Sequence, residues 1–197
     1  MKHALRIAAG VALLAVTGSL AAAQHRHEDA PAAAPRSDSI YEMPAALVDQ
    51  GGRPVGLDLF RGHPVLITMF YASCPDACPL LIADLQRFER ELSPRARADL
   101  RIVLVSFDTA RDRPEALKRL AAAHGLDTSR WRLLRASDDT VREVAAVLGI
   151  RYRRLPDGSF DHSSVVTLLD ASGVAVARVE GLGQPLDALR KHLHASR

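Results

Sequence analysis

Two rhythms of apolar residues alternate along the chain. Val65–Phe70 (VLITMF) and residues 101–107 (RIVLVSF) are nearly unbroken apolar runs, as expected of strands covered on both faces. Between them the spacing lengthens to three and four. Leu81, Leu85, Phe88 and Leu92 predict a helical stripe ended by Ser93-Pro94. Leu117, Leu120 and Ala121 predict a second helix over residues 114–124, with Gly125 as its stop. Residues 131–134 read as a short strand, and Ser137 as the cap of a helix with Val141, Val144, Ala145 and Leu148 on one face. Hairpins are signalled where residues 46–48 and 55–57 flank Asp49-Gln50-Gly51-Gly52. A second signal comes where Val165–Leu169 and residues 174–179 flank Asp170-Ala171-Ser172-Gly173. A last helix from about Pro185 carries Leu186, Leu189 and Leu193 on one side. Strands alternating with helices and closing on a hairpin plus helix predict an α/β fold: a central mixed sheet flanked by helices, with an N-terminal β-hairpin.

The pattern is different before residue 40. Lys2, His3 and Arg6 precede an uncharged apolar run over residues 7–20, followed by Ala21-Ala22-Ala23. This order describes a secretory signal peptide over residues 1–23 with a small-residue cleavage site. Left uncleaved, it would be an anchor to the inner membrane, although it falls short of the ~20 strongly apolar residues of a spanning helix. Either outcome places the remaining chain in the periplasm. Residues 24–39, rich in Ala, Pro and polar side chains, read as a flexible linker. Its His25 and His27 are either a solvated tail or a small metal catch. The folded domain is expected over residues 40–197.

With 197 residues, 48% hydrophobic and 25% charged, the chain suits one globular domain. Its formal net charge of +3 falls to +1 without residues 1–23, which hold Lys2 and Arg6 and no acid. Basic residues are scattered without interleaved aromatics, so nucleic acid is set aside as a partner.

Both cysteines lie in Cys74-Pro75-Asp76-Ala77-Cys78-Pro79, which joins the first buried strand to the following helix. Ligand sites of open α/β sheets gather at the carboxyl ends of strands, and a helix N-terminus favours a thiolate. Residues four apart on a helical turn have Cβ atoms ~5–6 Å apart. That separation closes into a disulfide with local bending, or lets two thiolates grip one metal ion. A purely structural bridge would close a loop of a few residues and constrain the unfolded chain little. Two thiolates rarely complete a metal site, and the chain has eight histidines. His3, His25 and His27 lie in the leader and linker, His63 in a turn, His124 at a helix end, and His192 and His194 in the last helix. His162 differs, because its loop (residues 157–164) leads directly into the strand Val165–Leu169; it is either a third donor or, as a lone loop histidine usually is, polar surface.

These pieces together resemble a known family. Cys-Pro-Asp-Ala-Cys-Pro after a buried strand, Val105-Ser106-Phe107-Asp108 with Asp112 and Pro114, and Asp161-His162-Ser163 before a strand look like the SCO/SenC family. Its members are thioredoxin-fold copper chaperones of cytochrome oxidase assembly. The resemblance runs from about residue 47 to residue 181, and departs from the family's usual proline after Asp108, where Thr109 stands. It implies a thioredoxin-like fold and copper ligation by Cys74, Cys78 and His162. It also implies delivery to the copper-binding subunit of cytochrome c oxidase. A periplasmic copper carrier and a thiol reductase are the other implied partners, and a monomer is expected.

The donor chemistry agrees independently. Two soft thiolates with one imidazole favour copper, Cu(I) especially, with Cu(II) left open. Asp161 is either a partner that orients His162 or a solvated carboxylate. Asp108 and Asp112 read as caps of the helix beginning at Pro114, in preference to a partner role at the site. Arg151, Arg153 and Arg154 either dock an acidic partner or guard an exposed strand edge. The alternative function is an extracytoplasmic thiol–disulfide oxidoreductase working through a redox-active Cys74–Cys78 pair. Against it, the cysteine spacing is one residue longer than Cys-x-x-Cys. Ser163 and Ser164 also stand where thioredoxin-like reductases resemble one another in a cis-proline.

Overall fold

The computed structural model describes residues 38–193. The expected leader, most of the linker, His25, His27 and His194 fall outside them. Nine strands and five α-helices follow one another in the described chain. The first hairpin pairs β1 (Leu47–Asp49) with β2 (Pro54–Val55). Then come β3 (Val65–Phe70), α1 (Ala77–Arg90), α2 (Pro94–Asp99), β4 (Arg101–Ser106) and α3 (Pro114–Ala123). β5 (Trp131–Ala136), α4 (Asp138–Leu148), β6 (Tyr152–Arg154) and β7 (Phe160–His162) follow. β8 (Val165–Leu169), β9 (Ala175–Glu180) and α5 (Asp187–Leu193) complete the domain.

Seven strands form one mixed sheet in the order β2-β1-β5-β4-β3-β8-β9. β3, β4 and β5 are parallel, joined by helical crossovers, while β8 runs antiparallel to β3. The expected mixed sheet, flanking helices and N-terminal hairpin are all present, and the architecture is thioredoxin-like. Every residue of β3 is buried, as its unbroken apolar run predicts. The apolar stripes of the helices close the two faces: Leu81, Ile82 and Leu85 of α1, Leu117 of α3, and Val141, Val144 and Leu148 of α4 are all at most 5% exposed. Each such side chain gains about 1.5–3 kcal/mol on leaving water. Ser137 accepts from the Thr140 N–H at the start of α4, as its cap position predicts. Gly149 ends that helix in the left-handed region, where a Cβ would meet Arg178 Nη1 at 2.9 Å.

Register brings the chemistry to one end of the sheet. Phe70, the last residue of β3, pairs with Ser106, the last of β4, so the loops that follow leave side by side. β8 opposes β3 with Val65 against Leu169 and Ile67 against Thr167. Its first residue therefore lies at the cysteine end, where the Val165 carbonyl accepts from Thr68 Oγ1 at 2.7 Å. The chain just before β8 is β6 and β7, which pair only with each other as a separate two-stranded sheet. The sequence predicted a loop around His162; the structure makes His162 the last residue of β7, opposite Tyr152. Among the described residues no helix is long and apolar enough to cross a membrane.

Candidate metal centre

The cysteine segment turns from the end of β3 into the first turn of α1. Cys78 is the second residue of that helix, and Cys74 precedes it. Asp76 sits at the cap position but makes no side-chain cap bond there. The Cys74 sulfur does the capping instead, accepting from the Cys78 N–H at 3.3 Å. Helix N-termini leave such N–H groups without intrahelical partners, and an anionic acceptor suits their positive dipole end.

The two thiols are chemically unequal. Burial pushes the Cys74 thiol up, but donation from the Cys78 backbone and thiol, the Asp76 N–H and the Tyr71 hydroxyl outweighs it, leaving Cys74 below the ordinary thiol value. Cys78 is deeper, 3% exposed against 9% for Cys74. Its thiol is pushed up to about 12, chiefly by burial, with the charges of Cys74 and Asp112 adding to the effect. Both cysteines are unbridged.

His162 lies within a group of aromatic rings that includes Tyr71, three residues before Cys74. Its ring centroid is 4.9 Å from that of Phe107 and 6.1 Å, edge-on, from that of Tyr71. Phe160 contacts the same two rings, and Tyr152 stacks on Phe107 at 5.2 Å. Tyr71 lies between the two halves of the site: its ring is 5.1 Å from that of Phe160 on β7, and its hydroxyl is among the groups that hold the Cys74 thiol down. His162 Nδ1 lies 3.2 Å from the Ser163 carbonyl oxygen. That acceptor selects the Nδ1–H tautomer and leaves the Nε2 lone pair for a ligand. Asp161 points elsewhere and pairs with Arg153 across the hairpin at 3.2 Å.

The structure thus brings both thiols together and places His162 against the Tyr71 and Phe107 rings. Among the described residues, no three His, Cys, Asp or Glu side chains converge closely enough to hold a metal ion. The donor types nevertheless fit a soft ion: two sulfurs at a helix N-terminus and an imidazole with a free nitrogen.

Two aspartates take a role that their spacing did not suggest. Asp108 and Asp112 were expected to cap α3, but the residue at its cap position is Arg113, which makes no side-chain cap bond. Both carboxylates instead point inward and are 1% exposed. Asp112 Oδ2 accepts from Ser106 Oγ at 2.5 Å and from the Ala72 N–H at 2.8 Å. It therefore ties the cysteine loop to the end of β4. Burial pushes its carboxyl up, against those two hydrogen bonds. Sequence reasoning also missed Tyr71 and Phe107 as site residues; the signal was an aromatic beside each of the two strand-end motifs.

The family model described as SCO1/SenC matches residues 33–195. The chain belongs to the SCO1/SenC family. A curated SCO2-like protein of Rickettsia prowazekii is 29% identical over 137 residues, covering 66% of this chain and 64% of that protein. This chain spans less than two thirds of the length of the curated relatives it matches. The copper-bound structure of Bradyrhizobium japonicum ScoI is 23% identical, with a TM-score of 0.67, covering 79% of this chain and 98% of that one. BsSco, described as a Sco-family cytochrome c oxidase assembly protein with a disulfide switch, is 24% identical with the same TM-score, covering 78% and 91%. At these identities the structural likeness establishes the fold.

Proposed function

We propose that this SCO1/SenC protein is a copper carrier: it binds copper through Cys74, Cys78 and His162 and hands it on during assembly of the cytochrome c oxidase copper centre. The observation that carries the reading is the pair of sulfurs at the N-terminus of α1, one capping the helix and the other directly behind it. Two thiolates and an imidazole are a donor set for Cu(I), and three ligands leave an open side for transfer by ligand exchange. A membership shared with relatives solved with copper bound supports the choice of metal. In this reading His162 moves past the Tyr71 and Phe107 rings toward the sulfurs, and the domain works outside the cytoplasm, exported by residues 1–23.

A second reading is favoured by the inequality of the thiols. A lowered Cys74 beside a raised Cys78 is the arrangement of an attacking thiol and a resolving one, so the metal-free protein can exchange with a partner's disulfide.

An anaerobic Cu(I) titration of the reduced chain against a competing chelator separates the two. Tight one-to-one binding is expected, weakened in both Cys74→Ser and His162→Ala. Weak binding indifferent to His162→Ala would leave the dithiol as the working part and the exchange reading in its place.

A further inference from the structure

His162 stands on a hairpin that shares no strand pairing with the seven-stranded sheet; its position is set at one end by the short link to β8, where the Gly181 N–H donates to the Ser164 carbonyl at 2.8 Å, and otherwise by the contacts of the hairpin itself. At the hairpin base, the Ser163 N–H donates to the Arg151 carbonyl at 2.9 Å, and the Arg151 N–H to Ser163 Oγ at 3.0 Å. These bonds join the two strands to each other. Along its length the hairpin rests on the rings of Phe107 and Tyr71, apolar contacts that tolerate sliding. At its tip the contact is directional: Arg111 Nη2 donates to the Gly158 carbonyl.

Arg111 is itself fixed from behind. Its Nε donates to Asp108 Oδ2, and its backbone N–H lies 3.2 Å from Oδ1 of the same carboxylate. Asp108 is buried, and its own N–H donates to Ser106 Oγ at 2.9 Å, at the end of β4. A continuous polar chain therefore runs from the sheet through Asp108 and Arg111 to the turn between β6 and β7. Gly158 supplies the φ of 81° that this turn adopts, a backbone conformation that favours glycine.

We propose that Arg111 is a positioning residue of the metal centre: braced on buried Asp108, it pins the hairpin tip through the Gly158 carbonyl and so sets how His162 approaches Cys74 and Cys78. The inference rests on the reading of those three residues as ligands. It needs the planar fork of a guanidinium, which holds a carboxylate and a carbonyl at once in a fixed geometry; a lysine ammonium is a single point donor.

The test measures Cu(I) affinity of the full chain by chelator competition for wild type, Arg111→Met, Arg111→Lys, His162→Ala and the Arg111→Met/His162→Ala double variant. Cu(II) electron paramagnetic resonance on the same set reads nitrogen coupling directly. Arg111→Met is expected to weaken Cu(I) binding by roughly 10- to 100-fold, the usual range for groups that orient a ligand. It should also weaken the nitrogen coupling, and Arg111→Lys should not restore either. In the His162→Ala background Arg111→Met should cost nothing further, since the tether then has no ligand to place. Arg111 is half-exposed, and Arg111→Lys, which keeps stem and charge, carries the test should Arg111→Met not fold. Unchanged affinity in the Arg111 variants beside a weakened His162→Ala would overturn the tether alone. An equal loss in both backgrounds would mean general loosening and overturn it too. Indifference of His162→Ala itself would sink the ligand set, and the tether with it.

Discussion

Cys74 and Cys78 are the same residue type four positions apart, and the helix makes them different. Only Cys74 is placed to accept the free N–H at the start of α1, while Cys78 is carried into the core by the helix it belongs to. In the reduced, metal-free protein, iodoacetamide should therefore modify Cys74 first. The rate should rise with pH through a midpoint below that of an ordinary thiol, and Cys78 should lag well behind. Peptide mass spectrometry after timed quenching reads both, and equal rates would remove the distinction. Cys74, Cys78 and His162 were nominated as ligands from the sequence because few residue types bind a soft metal, His162 on the strength of the family resemblance. The role of Asp112 was not legible. Its partners Ser106 and Ala72 are six and forty positions away in the chain, and only the parallel pairing of β3 with β4 brings them together. The helix-capping expectation failed because Pro114 has no N–H to cap and the Arg113 carbonyl accepts from the Ala116 N–H at 2.9 Å, leaving both aspartates to turn inward.

Among the elements, the hairpin turns were readable in advance, and the structure shows why they hold. Asp49 Oδ1 accepts from the Gly51 and Arg53 N–H groups at 2.8 and 3.0 Å, and Oδ2 from the Arg53 guanidinium. Asp170 repeats the device at the β8–β9 turn with the Ser172 and Val174 N–H groups. Burial pushes the Asp49 carboxyl up, but those donors outweigh it and hold it below the ordinary value. A depressed carboxylate stabilises the fold above its unfolded value and ceases to do so as pH falls through the folded one. Thermal melts of wild type should thus drop on acidification below about pH 4. Asp49→Asn should melt lower at pH 7, by about 1–3 kcal/mol of stability, and change less on acidification. A parallel acid response in the two proteins would contradict this. Three elements escaped the apolar pattern. α2 (PRARAD) buries no residue, so it has no stripe to detect, although Ser93 and Pro94 form its start signal. β6 and β7 are three residues each and mostly charged or half-buried, too short for an alternation to show.

For the molecule as a whole, the alternation of unbroken apolar runs with helical stripes was enough to read a covered mixed sheet. The strand order was not readable, because it depends on β8 inserting beside β3 rather than following β5. That insertion delivers His162 to the cysteine end. It also leaves the β6–β7 ladder hydrogen-bonded to itself alone, and this separation sets a difference in time. Amides buried in β3 and β4 exchange their hydrogens only when the sheet opens, whereas those of Tyr152–Arg154 and Phe160–His162 need only their own small ladder to part. Followed by mass spectrometry in heavy water, the hairpin peptides should take up deuterium well before those spanning β3 and β4; uptake in step would mean one cooperative unit. On that outcome the protein keeps two clocks, and His162 runs on the faster.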